Sequence, residues 1–517
     1  MLNMTCRNTN KLIRAKSKSE NIRLGRLFTK KDTARLMAGM VTLDPKRTAY
    51  TVLDPGAGTG ILSAALVERI CKECPDCKQI FLTCYETDPV FIPVLKDNLE
   101  RIRKRCRHDY DVKLYLTVYE ENYLIDSKNH YTVNFYETEE DTFDLIICNP
   151  PKELCLKSSE EAESTGGVTQ LKVDAAYLFA GMASRHLQPN GYLVIVLPTA
   201  TASAAGLSTF RKTMSEKLAL CRVHLFIGRQ KNEKRAVPLK KNMILAYKHG
   251  ERGETVSVST STDDGADTTL LPPLPYTFVV NPDDGSLTLP KNAEDTRIVR
   301  YISAFPETLA SLGLKIRTGK ILDSRTKDLL FNDPAKGLVP LFRPSVIKDG
   351  MVTFPGVQKK AGSLTPYVQP KQYLAPVSAA LVQKNKNMIL IKRVFAKSDE
   401  RCLNAAIHLA AGLPLYPYIS THNKVLYIDT KNNKEEMSAR FVYGLFALLN
   451  STVYDRYVSI ITKSKQINAK EFRDLPLPPR NLIENMGMRL MAMRMTTVKA
   501  CDSIVNPTLH IIDKTEG

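Results

Sequence analysis

From Leu24 to Pro198 the apolar positions keep changing period, from two to about 3.6 and back. A turn at Gly25 leads through Phe28-Thr29 into a helical stretch from Asp32 to Met40. Tyr50-Thr-Val-Leu53 reads as a strand that ends in Asp54-Pro55-Gly56-Ala57-Gly58-Thr59-Gly60, and the spacing from Ile61 to Cys71 predicts a helix. Ile80 to Tyr85 is a second strand ending at Glu86, followed by a charged helix from Pro93 to Lys104. Leu114–Val118 and Phe143–Cys148 read as a third and a fourth strand, the latter closed by Asn149-Pro150-Pro151. A helix from Ala175 to Leu187 and a fifth strand from Gly191 to Leu197 complete the series. Strands alternating with helices predict an α/β fold built on a doubly wound parallel sheet.

Beyond this region the rhythm changes. Residues 249–295, rich in Gly, Asp, Thr and Pro, read as a linker. Short strands and turns with interspersed helices then run to about Pro479, and Leu482–Ile504 has the pattern of a single amphipathic helix. The division expected is a basic flexible tail at 1–20, an α/β domain at 21–248, a linker at 249–295, a mixed α/β domain at 296–480, and a C-terminal helix and tail at 481–517.

Charge changes the picture more than composition does. Lys and Arg number 73 against 54 Asp and Glu, a net +19, which points to a polyanionic partner and most often to nucleic acid. The excess is uneven: residues 311–401 carry 17 basic and 6 acidic side chains, and residues 1–32 carry 9 and 2. Eleven cysteines in 517 residues fall far below the density of a disulfide-built secreted domain. The N-terminal twenty residues hold no apolar segment of signal-peptide type, and the longest apolar run, Tyr192–Leu197, is too short to span a bilayer, so a membrane or secreted setting is not expected.

The candidate chemistry gathers where strands end. Glycines at 56, 58 and 60, between a strand and a helix, let backbone approach a ligand while helix N–H groups point into the same space. That logic serves nicotinamide dinucleotides and S-adenosylmethionine alike. Glu86, at the end of the next strand, is placed to accept hydrogen bonds from ribose hydroxyls, and Asp54, Asn122 and Asn149 also follow strand ends, where open α/β sheets bind ligands. Asn149-Pro150-Pro151 is a stiff corner, because two prolines fix φ and remove two donors, leaving acceptors for a planar amine. The lone pair of an exocyclic amine is delocalised into its ring. Accepting both N–H bonds, on the Asn149 side chain and the Pro150 carbonyl, favours a pyramidal nucleophilic nitrogen.

In the order of these motifs the chain resembles the gamma-class adenine-N6 DNA methyltransferases of bacterial restriction–modification systems. Phe28-Thr29, the loop Asp54–Gly60, Tyr85-Glu86-Thr87-Asp88-Pro89, Asn122-Tyr123-Leu124, Asn149-Pro150-Pro151 and Pro189–Pro198 follow that family's order over roughly residues 22–230. Lys315–Arg325, Val339–Pro344, Leu390–Arg393, Gly444–Ser451 and Gln466–Pro476 resemble its DNA-recognition half. The resemblance implies an S-adenosylmethionine-dependent sheet with a C-terminal target-recognition domain, base flipping, and double-stranded DNA as partner, with a separate cognate restriction endonuclease in some systems. It also implies a cytoplasmic bacterial setting. Phe28, Thr29, Asp54, Gly56, Gly58, Gly60, Glu86 and Asn122 would bind the cofactor, and Asn149, Pro150, Pro151 and Lys152 would form the catalytic segment.

The chain departs from the family at several positions. Lys30 stands where Pro is usual, Asn122 where Asp is usual, and Lys152 where an aromatic stacks on the flipped base. Losing that stacking costs on the order of 1–3 kcal/mol per base. The alternatives are therefore an RNA or protein-glutamine methyltransferase and a catalytically weakened DNA-binding module. Cys71, Cys74, Cys77 and Cys84 have metal-like spacing, but they lie across a helix end and a strand, and no metal is expected. His186, His422 and the stripe Met486, Met488, Met491 and Met493 read as packing or surface. Gly58→Val, a branched side chain where backbone must meet ligand, is expected to abolish S-adenosylmethionine binding with the fold intact. Calorimetric titration checks this, and unchanged affinity in a folded variant would refute it.

Overall fold

A computed structural model describes residues 1–14, 28–127, 142–151, 154–156, 159–161, 172–228, 239–262, 265–359, 366–368, 370–395, 401–462 and 466–510. The chain divides into two compact units, Met1–Ala293 and Glu294–Gly517.

The first unit opens with helices α1 (Leu2–Arg14) and α2 (Lys31–Gly39). Strand β1 (Ala49–Asp54), helix α3 (Ile61–Glu73), β2 (Gln79–Tyr85), α4 (Ile92–Tyr110), β3 (Lys113–Tyr119) and β4 (Phe143–Cys148) follow. Next come α5 (Ala175–Arg185), β5 (Leu187–Pro198), α6 (Ser208–Lys217), β6 (Leu218–Ile227), β7 (Leu239–His249) and β8 (Thr255–Ser261). The strands lie in the order β3-β2-β1-β4-β5-β7-β6-β8, continued by Thr269–Leu270. The first five pair in parallel, as the alternation predicts. β7 inserts antiparallel between β5 and β6.

Burial alternates along β2 and β3, whereas the central β4 is buried at five consecutive positions, covered on both faces. Val52, Ile80, Leu82, Leu114, Leu145 and Ile147 face one side and pack with Leu66, Val67 and Ile70 of α3 and Leu95, Leu99 and Ile102 of α4. Each such side chain, once fully buried, stabilises by about 1.5–3 kcal/mol. On the same helices Lys72 and Arg101 stay exposed and pair with Glu68 and Asp97 four residues away. Such surface pairs are worth only about 0.3–0.5 kcal/mol, so packing, not pairing, holds the layer.

Three expectations are corrected. Residues 2–14 of the expected flexible tail are a helix: Leu2, Thr5 and Thr9 recur at spacings of three and four, and all are buried. Two of the three are threonines, so the stripe does not read as apolar in sequence. The expected linker at 249–295 holds β8, parallel to β6 from Ser257↔Arg222 to Ser261↔Phe226. Its composition is that of a loop, but Val256 and Val258 alternate with Ser and Thr and are both buried. The expected single C-terminal helix is two, Arg480–Met493 and Val498–Thr508. Arg494 takes a left-handed φ of 51°, and the Thr497 side chain accepts from Ala500 N and starts the second helix.

In the second unit, Leu314–Thr318, Val425–Thr430, Met388–Lys392 and Ala405–His408 form successive strands of one sheet. Val339–Phe342 pairs with Tyr418–Thr421 in another. Helix α7 (Ala439–Asn450) crosses α8 (Arg480–Met493) at glycines. A Cβ on Gly444 would lie 1.8 Å from Ile483 O, and one on Gly487 would lie 1.8 Å from Arg440 O. Met486 and Leu490 are buried in this packing, whereas Met488, Met491 and Met493 are exposed. Gly487→Ala should gain at most about 1 kcal/mol of helix propensity. Overpacking of rigid backbone should cost about 3 kcal/mol or more. Urea unfolding should show a net loss of stability, and a neutral or stabilising result would contradict this crossing.

Candidate active site

Three strand ends form the floor. β1 runs parallel to β2 with Asp54 opposite Cys84, and parallel to β4 with Leu53 opposite Ile146. The loops that follow Asp54, Tyr85 and Cys148 therefore leave from the same edge of the sheet.

The glycine loop is fixed by backbone bonds. Ala57 N donates to Tyr85 O at 3.0 Å, and Gly60 N donates to Ala57 O at 2.8 Å. Gly58 and Gly60 take φ of 56° and 82°, a left-handed region that favours glycine. Gly60 is the residue before α3 and has no side chain to cap it. Asp54 supplies the cap: its Oδ2 accepts from Ser63 N at 3.2 Å and Ser63 Oγ at 2.7 Å. Asp54 is fully buried, and its Oδ1 accepts no hydrogen bond. Burial pushes its carboxyl up to about 7. The Ser63 bonds oppose that shift, and the nearby Glu86 charge adds to it.

Glu86 joins the second strand end to this loop. Its Oε2 accepts from Gly58 N at 2.7 Å, and its Oε1 accepts from Thr87 N and Asp88 N at 2.9 and 2.8 Å. A carboxylate has about four lone-pair sites, so capacity for hydroxyl donors remains. Asn122 starts a short helix at 123–127, accepting from Leu124 N at 3.0 Å, and its Nδ2 donates to Glu161 at 3.3 Å.

Phe28-Thr29 closes onto the same edge. The Phe28 ring packs edge-on against Phe91, centroids 4.9 Å apart, and would lie 3.6 Å from a Cβ on Gly58. Thr29 Oγ1 accepts from Asn149 Nδ2 at 2.9 Å, across 120 positions of sequence. Pro150 is buried and Pro151 exposed. Phe28, Thr29, Gly58, Glu86 and Asn149 are thus linked by contacts, while Gly56 lies 3.8 Å, as a Cβ, from the Phe179 ring. Lys152 lies outside the described residues.

Supports that the sequence reading missed lie beneath this edge. Thr9 of α1 reaches the loop, its Oγ1 being 2.7 Å from Thr59 Oγ1, and Asn98 Nδ2 donates to Thr59 O at 2.8 Å. Tyr123 packs among Tyr85, Phe179 and His186, with its hydroxyl 2.8 Å from His186 Nδ1. The one available signal was the spacing of Leu2, Thr5 and Thr9 on one helical face.

The cysteines turn to separate partners. Cys71 Sγ lies 3.8 Å from Cys106 Sγ, Cys74 is 3.7 Å from the Tyr50 hydroxyl, Cys77 donates to Gln79 O, and Cys84 is 3.6 Å from Ser63 Oγ. Among the described residues no group of three or more His, Cys, Asp or Glu side chains is arranged to hold a metal ion. No helix among them is long and apolar enough to cross a membrane.

Residues 79–231 match the family described as Eco57I restriction-modification methylase. The chain is 26% identical over 486 residues to the type II methyltransferase M.BsuBI of Bacillus subtilis, covering 91% of this chain and 90% of the relative. It is 25% identical over 503 residues to the type II methyltransferase M.PstI of Providencia stuartii, covering 95% and 94%. The crystal structure of the type IIG restriction endonuclease BpuSI aligns with a TM-score of 0.43 at 11% identity, covering 93% of this chain and 65% of that one. The family match and the two curated relatives bear out the resemblance carried by the motif order.

The buried Asp54 has a consequence for stability. The folded chain holds its proton up to about pH 7, whereas the unfolded chain releases it near 3.8. Between those values the folded state binds more protons, so this group lowers stability as pH rises from about 4 to about 7 and adds no slope above that. Asp54→Asn should flatten that part of the profile. Urea unfolding across the window checks it, and an unchanged slope in the variant would refute the assignment.

Proposed function

With a methyltransferase of the restriction-modification type as the premise, we propose that this chain is a site-specific DNA methyltransferase. It transfers a methyl group from S-adenosylmethionine to adenine N6 on a flipped base, as the modification enzyme of a restriction–modification system. The observation that carries the reading is the place of Asn149-Pro150-Pro151: an amide and a stiff carbonyl corner at the end of β4, joined through Thr29 to the segment that covers the glycine loop of β1.

The residues at the loop fit the cofactor. Gly58 can take no Cβ without strain at its positive φ, and buried Asp54 leaves its Oδ1 without a partner. Gly56, Gly58 and Gly60 would let backbone come close to it, Glu86 would accept from its ribose hydroxyls, Asn122 would contact its adenine, and Phe28 with Thr29 would cover it. S-adenosylmethionine supplies an electrophilic methyl on a sulfonium.

The chain's own work is alignment. The target adenine leaves the duplex, because its amine is otherwise paired. Asn149 Oδ1 and the Pro150 carbonyl accept hydrogen bonds from the two amine N–H groups, so the nitrogen lone pair points out of the ring plane; as it bonds the methyl carbon the carbon–sulfur bond breaks, and the nitrogen then loses one proton to solvent. Pro151 keeps the corner rigid. In the sequence Lys152 stands at the position where the family has a stacking aromatic, and its loss would weaken the hold on the base without removing the acceptors.

The second unit supplies the affinity for DNA. Arg317, Arg343 and Lys386 are spent internally: Arg317 pairs with Asp429, Arg343 with Asp323, and Lys386 holds Thr430 Oγ1 and two carbonyls. Lys320, Arg325, Lys327, Lys336, Lys348 and Lys384 are exposed and free to meet phosphates. Phosphate contacts position the duplex and make affinity salt-dependent.

Sequencing methylated bases in DNA from cells that express the protein tests base and site together, and N6-methyladenine at one recurring sequence is expected. Unmodified adenine throughout would end the reading. Asn149→Ala should keep DNA and cofactor binding, and single-turnover methyl transfer should fall roughly 10²–10³-fold, the loss of one contact to developing charge. A variant as fast as wild type would remove Asn149 from the mechanism.

A further inference from the structure

We propose that Thr29 is a positioning residue for methyl transfer, acting through Asn149, in addition to its cover over the cofactor. The inference rests on the reading of Asn149 as the amine acceptor. Asn149 is half-buried, and its Nδ2 donates to Thr29 Oγ1 at 2.9 Å.

A primary amide presents different chemistry on its two sides: the oxygen accepts, and the NH2 group only donates. The torsion that exchanges them is broad and nearly two-fold, so an unheld amide samples both orientations. With the oxygen forward, Asn149 accepts from an incoming amine. With the NH2 forward, donor meets donor and the amine is turned away. The Thr29 hydroxyl takes the NH2 side, and that leaves Oδ1 as the face that can meet the base.

The geometry around Thr29 makes it a fixed partner. The neighbouring Phe28 ring is wedged between Phe91 and the position of Gly58, and Thr29 lies two residues before α2, whose Ala34, Met37 and Ala38 are buried. The hydroxyl that holds the amide therefore comes from a segment anchored on both sides. The same dipeptide touches the glycine loop through Phe28 and the catalytic corner through Thr29, which ties the orientation of the acceptor to the closure of the cofactor side.

The test compares Thr29→Val, Thr29→Ser, Asn149→Ala and the double variant Thr29→Val/Asn149→Ala in the full chain. Cofactor affinity is read by calorimetry, DNA affinity by titration, and chemistry by single-turnover transfer of labelled methyl groups to DNA carrying the mapped site. Thr29→Val, which keeps the bulk that covers the cofactor and removes only the hydroxyl, should slow the single-turnover step roughly tenfold, about what one orienting hydrogen bond is worth, with both affinities held. Thr29→Ser, which keeps the hydroxyl, should restore most of that rate. The double variant should be no slower than Asn149→Ala alone, because Thr29 acts only through that amide.

If the Thr29→Val defect lies in cofactor affinity, or multiplies that of Asn149→Ala, Thr29 acts on the cofactor and this inference fails while the proposed function stands. The inference fails in the same way if Thr29→Ser is as slow as Thr29→Val. If Asn149→Ala is itself as fast as wild type, the assigned role of Asn149 falls, and the role of Thr29 with it.

Discussion

The parallel ladder that joins β1 to β2 and β4 decides where everything chemical in the first unit can be. Backbone hydrogen bonds set Asp54 opposite Cys84 and Leu53 opposite Ile146. With this register the loops after Asp54, Tyr85 and Cys148 leave the sheet on one edge, although the residues they carry are far apart in the chain. A shift of one residue would turn Val52, Ile80 and Leu145 away from α3 and α4, so the hydrophobic face and the site are held by the same constraint.

Onto that floor the loops are tied by a few polar contacts whose strength comes from burial. Asp54 gives up exposure entirely to cap α3 through Ser63 and keeps its proton up to about pH 7 as a result. Glu86 does the opposite. It stays half-exposed and gathers three backbone amides, including that of Gly58, which is the arrangement that suits a charged acceptor. Two acidic side chains at adjacent strand ends therefore differ in setting: Asp54 is fully buried, and Glu86 keeps part of its surface exposed.

The second unit separates its cations in a similar way. Arg317, Arg343 and Lys386 are locked into pairs and carbonyl cages, whereas Lys320, Arg325, Lys327, Lys336, Lys348 and Lys384 are exposed. The net basic charge of residues 311–401 thus overstates what can reach a phosphate, since part of it is consumed in folding. The glycine crossing of α7 and α8 shows a different economy, in which two small residues let helix backbones touch where larger ones would force them apart.

Much of the first unit was legible in the sequence. The five parallel strands, the glycine loop, Glu86 and Asn149 all announce themselves by period or by residue type, because strand pattern and turn chemistry are local properties. The second unit was less legible, since its strands are short and its glycine crossing needs two segments some forty positions apart. Helix α1 and strand β8 were misread as tail and linker, because threonine and serine carry no apolar signature until a neighbour buries them. The side-chain connections were beyond any local reading. Nothing in the order of residues says that Thr29 meets Asn149, that Thr9 meets Thr59, or that Asp54 leaves one oxygen without a partner. Those depend on which strand lies beside which and on how far each helix is pressed against the sheet. The sequence by itself determined the kinds of groups present and the strand ends that carry them, and only the tertiary structure decided which groups touch, because contact is set by packing across the fold and not by spacing along the chain.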